Sequence, residues 1–385
     1  MSAERAALLS EADRALAAQD FARAAALFED AAKDGDDLSV LLRLAGAHRA
    51  LGRPRVALDA VHRALALAPL DFTALMLRAN LLERIGDPNA GEAWGHAIAQ
   101  KPDGALPPQL DAVLAGGERC HAAWLGAKEA ALEARMADIE ARADTDGAAR
   151  IARFRSNALR RTRPYHSEPT HFHFPGLRER EFHPRALFPW LEMIEAATDA
   201  IAAELEAAMT AERAELVPYV RYAAHQPLDQ WRDLNHNPDW TAIHLLRSGQ
   251  RVEANARHCP RTLALLEELD QPVIPGASPN AMFSLLAPGT AIPPHVGYNN
   301  ARLVCHLPLI VPDGCWFRVG AETRDWRRGE AFVFDDTIEH EALNPSDQLR
   351  VVFIFDIWHP DLLPVEREAV AALIGSDAGG APEGL

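Results

Sequence analysis

The chain has 385 residues, 48% apolar and 24% charged, which predicts two or three packed domains and excludes a wholly disordered protein. Its formal net charge of −16 argues against nucleic acid or an anionic membrane surface as the main partner. A local basic pocket for an anionic small molecule stays compatible with that balance.

Four cysteines (Cys120, Cys259, Cys305, Cys315) are scattered without a CxxC pair, as expected of free thiols in a reducing compartment. The opening MSAERAALLSEADRAL carries charge where a signal peptide needs an apolar run. No apolar run approaches the ~18 residues of a membrane span. A soluble, cytoplasmic chain is expected.

Residues 1–104 repeat. Ala24, Ala57 and Ala90 are spaced by 33, as are Phe28, Val61 and Trp94, and Ala31, Ala64 and Ala97. Leu44 and Leu77 continue the register on the preceding helix, and Pro69 and Pro102 close the second and third units. Small residues let two antiparallel helices approach, and the bulky one fills the groove between them. Proline then stops the second helix. The spacing resembles the tetratricopeptide repeat, without the large aromatic usual early in each unit. Two roles fit such repeats: a concave peptide-binding surface, or a scaffold that stabilises or dimerises the rest.

Residues 105–162 start with a turn-like ALPP and pass into GAKEAALEARMADIEARAD, whose alternating charge predicts connecting helices. RRTRPYHSEP marks a boundary near residue 162. A second domain is expected over 163–365 and a mobile Gly/Ala/Pro tail over 366–385. His171 and His173 form an HxH pair, but the nearby Pro175 and Pro184 favour an irregular approach segment over metal ligation. Residues 187–211 predict one amphipathic helix packed on a sheet. A strand follows over 240–246, then a turn over 247–250 and a loop leading into a helix over 251–269.

Short β-type runs then succeed one another at 281–286, 302–311, 315–319, 331–334 and 349–358, separated by PGT, VPDG, RRGE and NPSDQ. This spacing predicts an all-β barrel or double-sheet roll. His295 follows AIPP, which holds the backbone extended, and His340 lies 45 residues on, just after AFVFDD. Two imidazoles on facing strands suit a non-heme iron, normally completed by a carboxylate two residues after the first histidine; here that position is Gly297. Arg350 sits in the apolar run LRVVFIFD, where a guanidinium is costly unless it meets an anion. It can pair with Asp356 or Asp335 inside the protein, and each histidine can be a satisfied core residue. Together the three point to an iron site beside a carboxylate-bearing cosubstrate.

The run HVGYNNARLVCHLPLIVP…CWFRVGAETRDWRRGEAFVFDDTIEHEALN…LRVVFIFDIWHPDL resembles the aspartyl/asparaginyl β-hydroxylase family of iron(II)/2-oxoglutarate oxygenases, over about residues 165–365. The resemblance implies a multidomain α and β protein: tetratricopeptide-like helical repeats followed by a double-stranded β-helix (jelly-roll, cupin-like) oxygenase domain with flanking helices. It implies His295 and His340 as iron ligands, with water in place of the missing carboxylate. Arg350 and Ser284 would hold the distal carboxylate of 2-oxoglutarate, and Trp240 and His306 would make further cosubstrate contacts. Arg302 is kept as a substrate-binding residue, whereas Val304 stands where family members carry an arginine. Asp335 or Asp336 would steady the iron-bound water or a histidine, unless the two cap a turn. The implied cofactors are Fe(II), 2-oxoglutarate and O2. The implied reaction is β-hydroxylation of an Asp or Asn residue in a peptide or protein, which the repeats help to bind. Alternatives are a hydroxylase of a free amino acid or small metabolite, and a non-catalytic repeat-bearing scaffold.

Overall fold

The computed structural model describes residues 3–33, 35–211, 215–221, 232 and 235–376. The chain divides into two compact units, Met1–Arg142 and Ala143–Leu385. Among the described residues no helix is long and apolar enough to cross a membrane.

The first unit is helical: α1 (Ala3–Ala17), α2 (Phe21–Ala32), α3 (Leu38–Ala50), α4 (Pro54–Leu67), α5 (Phe72–Arg84), α6 (Ala90–Ile98) and α7 (Pro108–Glu140). Starts are set by caps. Asp37 accepts from Val40 N at 3.1 Å and Asp71 from Ala74 N at 2.8 Å, while α4 opens on Pro54, whose missing N–H costs nothing there. The repeated positions form the core of this unit: Ala24, Ala57, Ala90, Phe28, Val61, Trp94, Ala31, Ala64 and Ala97 are all buried.

The segment expected to connect the domains behaves differently. Leu114 of α7 joins the core of the repeats, and a Cβ built on Gly117 would overlap the Trp94 ring. The first half of α7 therefore packs on α6 at glycine-limited distance. The next helix, α8 (Thr145–Ala158), belongs to the second unit.

In the second unit the single helix expected over 187–211 is broken into a 3-10 turn (Arg185–Leu187), α9 (Leu191–Ala196) and α10 (Thr198–Thr210). Ala197 leaves the helical region at φ −93°, ψ 2°, and the Thr198 hydroxyl takes the Glu195 carbonyl at 2.6 Å. Such a local side-chain bond competes with helix continuation. There follow β1 (Val217–Pro218), β2 (Trp240–Arg247), β3 (Gln250–Arg251), α11 (Glu253–Ala256) and α12 (Pro260–Glu267). Next come β4 (Ala281–Leu286), β5 (Thr290–His295), β6 (Arg302–Ile310), β7 (Trp316–Val319), β8 (Glu322–Asp325), β9 (Phe332–Phe334), β10 (His340–Asn344) and β11 (Arg350–Trp358).

Among the described residues these strands build two antiparallel sheets. One runs β1-β2-β4-β11-β6-β9, with β3 on β2, and the other runs β5-β10-β7-β8. The large sheet is buried on both faces. Ile243, Phe283, Leu303, Cys305, Val351 and Phe353 face the helices α9, α10 and α12. Their strand neighbours Ala242, Met282, Val304, Val352 and Ile354 share a core with Ile292, Phe317, Val319 and Ala342 of the small sheet. The period of two along each strand thus sorts one face to the helices and the other to the interior between the sheets.

The tail expected over 366–385 is ordered at its start. Helix α13 (Pro364–Ser376) buries Val370 and Ile374, spaced i, i+4, with Ile274 and Trp358. Residues 377–385 lie outside the described residues.

Candidate metal and anion site

His295 closes β5 and His340 opens β10, and the two are direct partners in the antiparallel register. Their ring centroids lie 4.0 Å apart with planes at 57°. Two carbonyls set the tautomers: His295 Nδ1 meets Pro293 O at 2.8 Å, and His340 Nδ1 meets Ile338 O at 3.1 Å. A carbonyl can only accept, so each Nδ1 carries the proton and each Nε2 is the basic nitrogen. Burial pushes the His295 pKa down to about 4 and that of His340 well below the usual range, with His295 adding to the effect on His340. Neutral imidazoles with basic Nε2 are the form a metal takes. Among the described residues no group of three or more His, Cys, Asp or Glu is placed to hold a metal.

Gly297 has a steric reason. A Cβ built on it would overlap the carboxylate of Asp336, whose backbone oxygen also accepts from Gly297 N at 2.7 Å. Asp336 thus fills the space a side chain at 297 would need. Its Oδ2 accepts from Arg302 Nη2 at 3.1 Å, while buried Oδ1 has no hydrogen-bond partner among the described residues. Burial raises its pKa. Asp335 caps the turn instead, accepting from Thr337 N at 3.0 Å and Thr337 Oγ1 at 2.5 Å, and burial pushes it up to about 7. The two acids that looked interchangeable in sequence have split roles.

Gly297→Ala is expected to destabilise the second unit by about 1–3 kcal/mol through this overlap. Combining it with Asp336→Ser should cost less than the sum of the single changes, because the two side chains compete for one space. Urea midpoints of the four chains test this; strict additivity would refute the contact.

Arg350 begins β11 and is 2% exposed. Neither acid considered as its partner takes it. Asp356 receives Arg302 Nη1 at 3.2 Å, Ser278 Oγ at 3.0 Å and Asn280 N at 2.9 Å, and Asp335 is held by Thr337. Arg350 Nη2 has no hydrogen-bond partner among the described residues, and burial pushes its pKa down to about 10. Its guanidinium carbon lies 5.4 Å from the Trp326 ring. Two neighbours are in the same condition: Trp326 Nε1 and His306 Nδ1 are also buried without a hydrogen-bond partner among the described residues. His306 stacks on Trp326 at 5.6 Å, and burial, then Arg350, holds its pKa well below the usual range. Unsatisfied polar nitrogens gathered around a buried cation favour an anionic ligand with several acceptor oxygens.

Ser284 on β4 accepts from Trp240 Nε1 at 3.0 Å and keeps its own proton to donate; Trp240 in turn stacks on Tyr219 at 3.9 Å. His295, His340, Arg350, Ser284, Trp240 and His306 line one cavity. An adjoining cavity shares His295, His306, His340 and Tyr219 and adds Arg302, Val304, Asp336 and Asp356. The structure therefore brings every candidate site residue around one imidazole pair, but it ties the Arg302 guanidinium to two carboxylates. His171 and His173 are exposed and line neither cavity; the His171 ring lies 4.5 Å from that of Tyr298, tilted by 31°. Sequence reasoning missed Trp326 and Tyr219. A tryptophan in the polar TRDWRRGE was the available signal for the first, while Tyr219 precedes the strand it packs on and carried none.

Two antiparallel sheets thus enclose paired histidines of lowered pKa and a buried arginine whose Nη2 has no hydrogen-bond partner among the described residues. Residues 195–360 match the sequence model of the family described as "Aspartyl/Asparaginyl beta-hydroxylase". The aspartyl/asparaginyl beta-hydroxylase of Mus musculus is 36% identical over 148 residues, which are 38% of this chain and 20% of that protein. The aspartate beta-hydroxylase domain-containing protein 2 of Homo sapiens is 39% identical over 37% of this chain and 40% of its own length. Its counterpart in Rattus norvegicus is 34% identical over 54% of this chain and 60% of its own length. The chain thus spans less than two thirds of these relatives. Among solved structures, the Sgt2 TPR domain from Aspergillus fumigatus aligns with 31% of this chain and 79% of its own, at 22% identity and a TM-score of 0.28.

Proposed function

We propose that the chain is an iron(II)- and 2-oxoglutarate-dependent dioxygenase that hydroxylates the β-carbon of an Asp or Asn residue in a peptide or protein, releasing succinate and CO2. The observation that carries the reading is the buried Arg350 Nη2, without a hydrogen-bond partner among the described residues, in the same cavity as His295 and His340. We take the two sheets as the double-stranded β-helix of such enzymes. His295 and His340 would hold the metal through Nε2, and iron bound there supplies the dioxygen activation that no side chain of the chain can perform.

The chain's own residues do the rest. Arg350 neutralises and orients the distal carboxylate of 2-oxoglutarate, with the Ser284 hydroxyl and Trp326 Nε1 as further donors. Trp240 and His306 flank the cosubstrate, and the aromatic wall of Phe317, Trp326 and Trp240 excludes water from it. Asp336, seated against Gly297, offers an acceptor beside the imidazole pair. The helical repeats present a polypeptide-binding surface, which favours a peptide substrate over a free amino acid.

The test is succinate formation by the full chain with Fe(II) and 2-oxoglutarate, followed by mass spectrometry of host peptides for the gain of one oxygen atom at Asp or Asn. Iron-dependent succinate without added peptide already separates an oxygenase from a non-catalytic scaffold. No iron-dependent turnover under any of these conditions would refute the reading.

A further inference from the structure

The adjoining cavity beside the imidazole pair has a charge arrangement of its own. Its described lining holds one permanent cation, Arg302, and two carboxylates, Asp336 and Asp356. The guanidinium lies between them, with Nη1 3.2 Å from Asp356 and Nη2 3.1 Å from Asp336. Asp356 is fixed in turn by Ser278 Oγ and by both nitrogens of Asn280. Arg302 is therefore a positioning residue that holds two acids. Besides the histidines, Tyr219 and Asn280, the wall is apolar: Met282, Val304, Phe334 and Ile354 are all buried side chains of this cavity.

We infer that this cavity selects an uncharged target side chain, a carboxamide or an apolar group, and rejects a carboxylate; the inference rests on the hydroxylase reading above. An incoming carboxylate would be desolvated beside two like charges, with the guanidinium already shared between those charges. A carboxamide brings N–H donors, and Asp336 Oδ1 is a buried acceptor with no partner among the described residues. Between the two members of the proposed substrate class, asparagine fits and aspartate does not. Val304 is the position that sets this preference. It lines the cavity and pairs in register with Asp356, so a cation placed there would face the incoming group.

The probes are N-acetyl-asparagine methylamide and N-acetyl-aspartate methylamide, titrated at neutral pH into the full chain by ligand-observed NMR. One series contains Mn(II) and 2-oxoglutarate without oxygen, and another contains neither. The asparagine compound is expected to bind ~10-fold or more tightly than the aspartate compound in both series. Val304→Arg is expected to reverse the order. Equal or tighter binding of the aspartate compound to the native chain overturns the inference, and that comparison needs no variant to fold. Failure of 2-oxoglutarate itself to bind in the first series counts against the oxygenase reading, while the metal-free series still decides between the two side chains.

Discussion

Removing either imidazole, as in His295→Ala or His340→Ala, is expected to weaken metal binding at least ~100-fold and to abolish iron-dependent succinate formation. The size of the effect follows from the short ligand list. Among the described residues no third His, Cys, Asp or Glu joins the pair, so losing one ring leaves a single imidazole. Both rings are pre-set, with Nδ1 tied to a backbone carbonyl and burial keeping the ring neutral. The fold should survive, because each histidine sits at the end of its strand and not within its hydrogen-bonded middle. Mn(II) binding followed by electron paramagnetic resonance, with thermal unfolding as the control, measures both. His340→Gln, which keeps most of the volume against Phe317 and Phe334, guards against a packing artefact. Full turnover in any of these variants would sink the assignment.

Arg350→Met should move stability and binding in opposite directions. Without ligand the native chain buries a guanidinium that no described carboxylate neutralises, so an apolar side chain of similar length is expected to raise unfolding stability by about 1–4 kcal/mol. The same change should weaken 2-oxoglutarate binding by about 2–5 kcal/mol, since the ligand's distal carboxylate would then be buried unpaired. Chemical denaturation without ligand gives the first number and calorimetric titration of 2-oxoglutarate the second. A destabilised variant would mean that Arg350 is satisfied within the protein. Unchanged affinity would mean that another cation holds the carboxylate. Only an arginine kept for a ligand produces the opposed pair of effects.

Much of this architecture was legible in the sequence. The alanine and bulky-residue register at a spacing of 33 placed the repeat core correctly, because helix–helix approach depends on small residues at fixed intervals. Three strands of the large sheet were legible as AMFSLL, RLVCHLPLI and RVVFIFDIW, since a strand buried on both faces is nearly all apolar, whereas the two-residue β1 and β3 were not. Three strands of the small sheet were not. TAIPPH carries two prolines, ETRD is wholly polar and HEALN is short and mixed, so β5, β8 and β10 lack the pattern of a buried strand. The proline-bearing strand lies at a sheet edge, where missing donors are tolerated.

The amino-acid sequence by itself determined the inventory of the site: two histidines on β-type runs, a glycine where a carboxylate is usual, and an arginine in an apolar strand. Only the tertiary structure decided which charge meets which. Arg302 and Arg350 look alike in sequence, each opening an apolar strand. Yet Arg302 lies between Asp336 and Asp356, while Arg350 has no described acidic partner. The physical reason is that strand periodicity assigns a side chain to a face but says nothing about what lies opposite it. Partners across that interior come from strand order and from turns far away in the chain. The space beside His295 shows the same division: glycine at 297 is written in the sequence, but its occupation by the carboxylate of Asp336 is a fact of the fold.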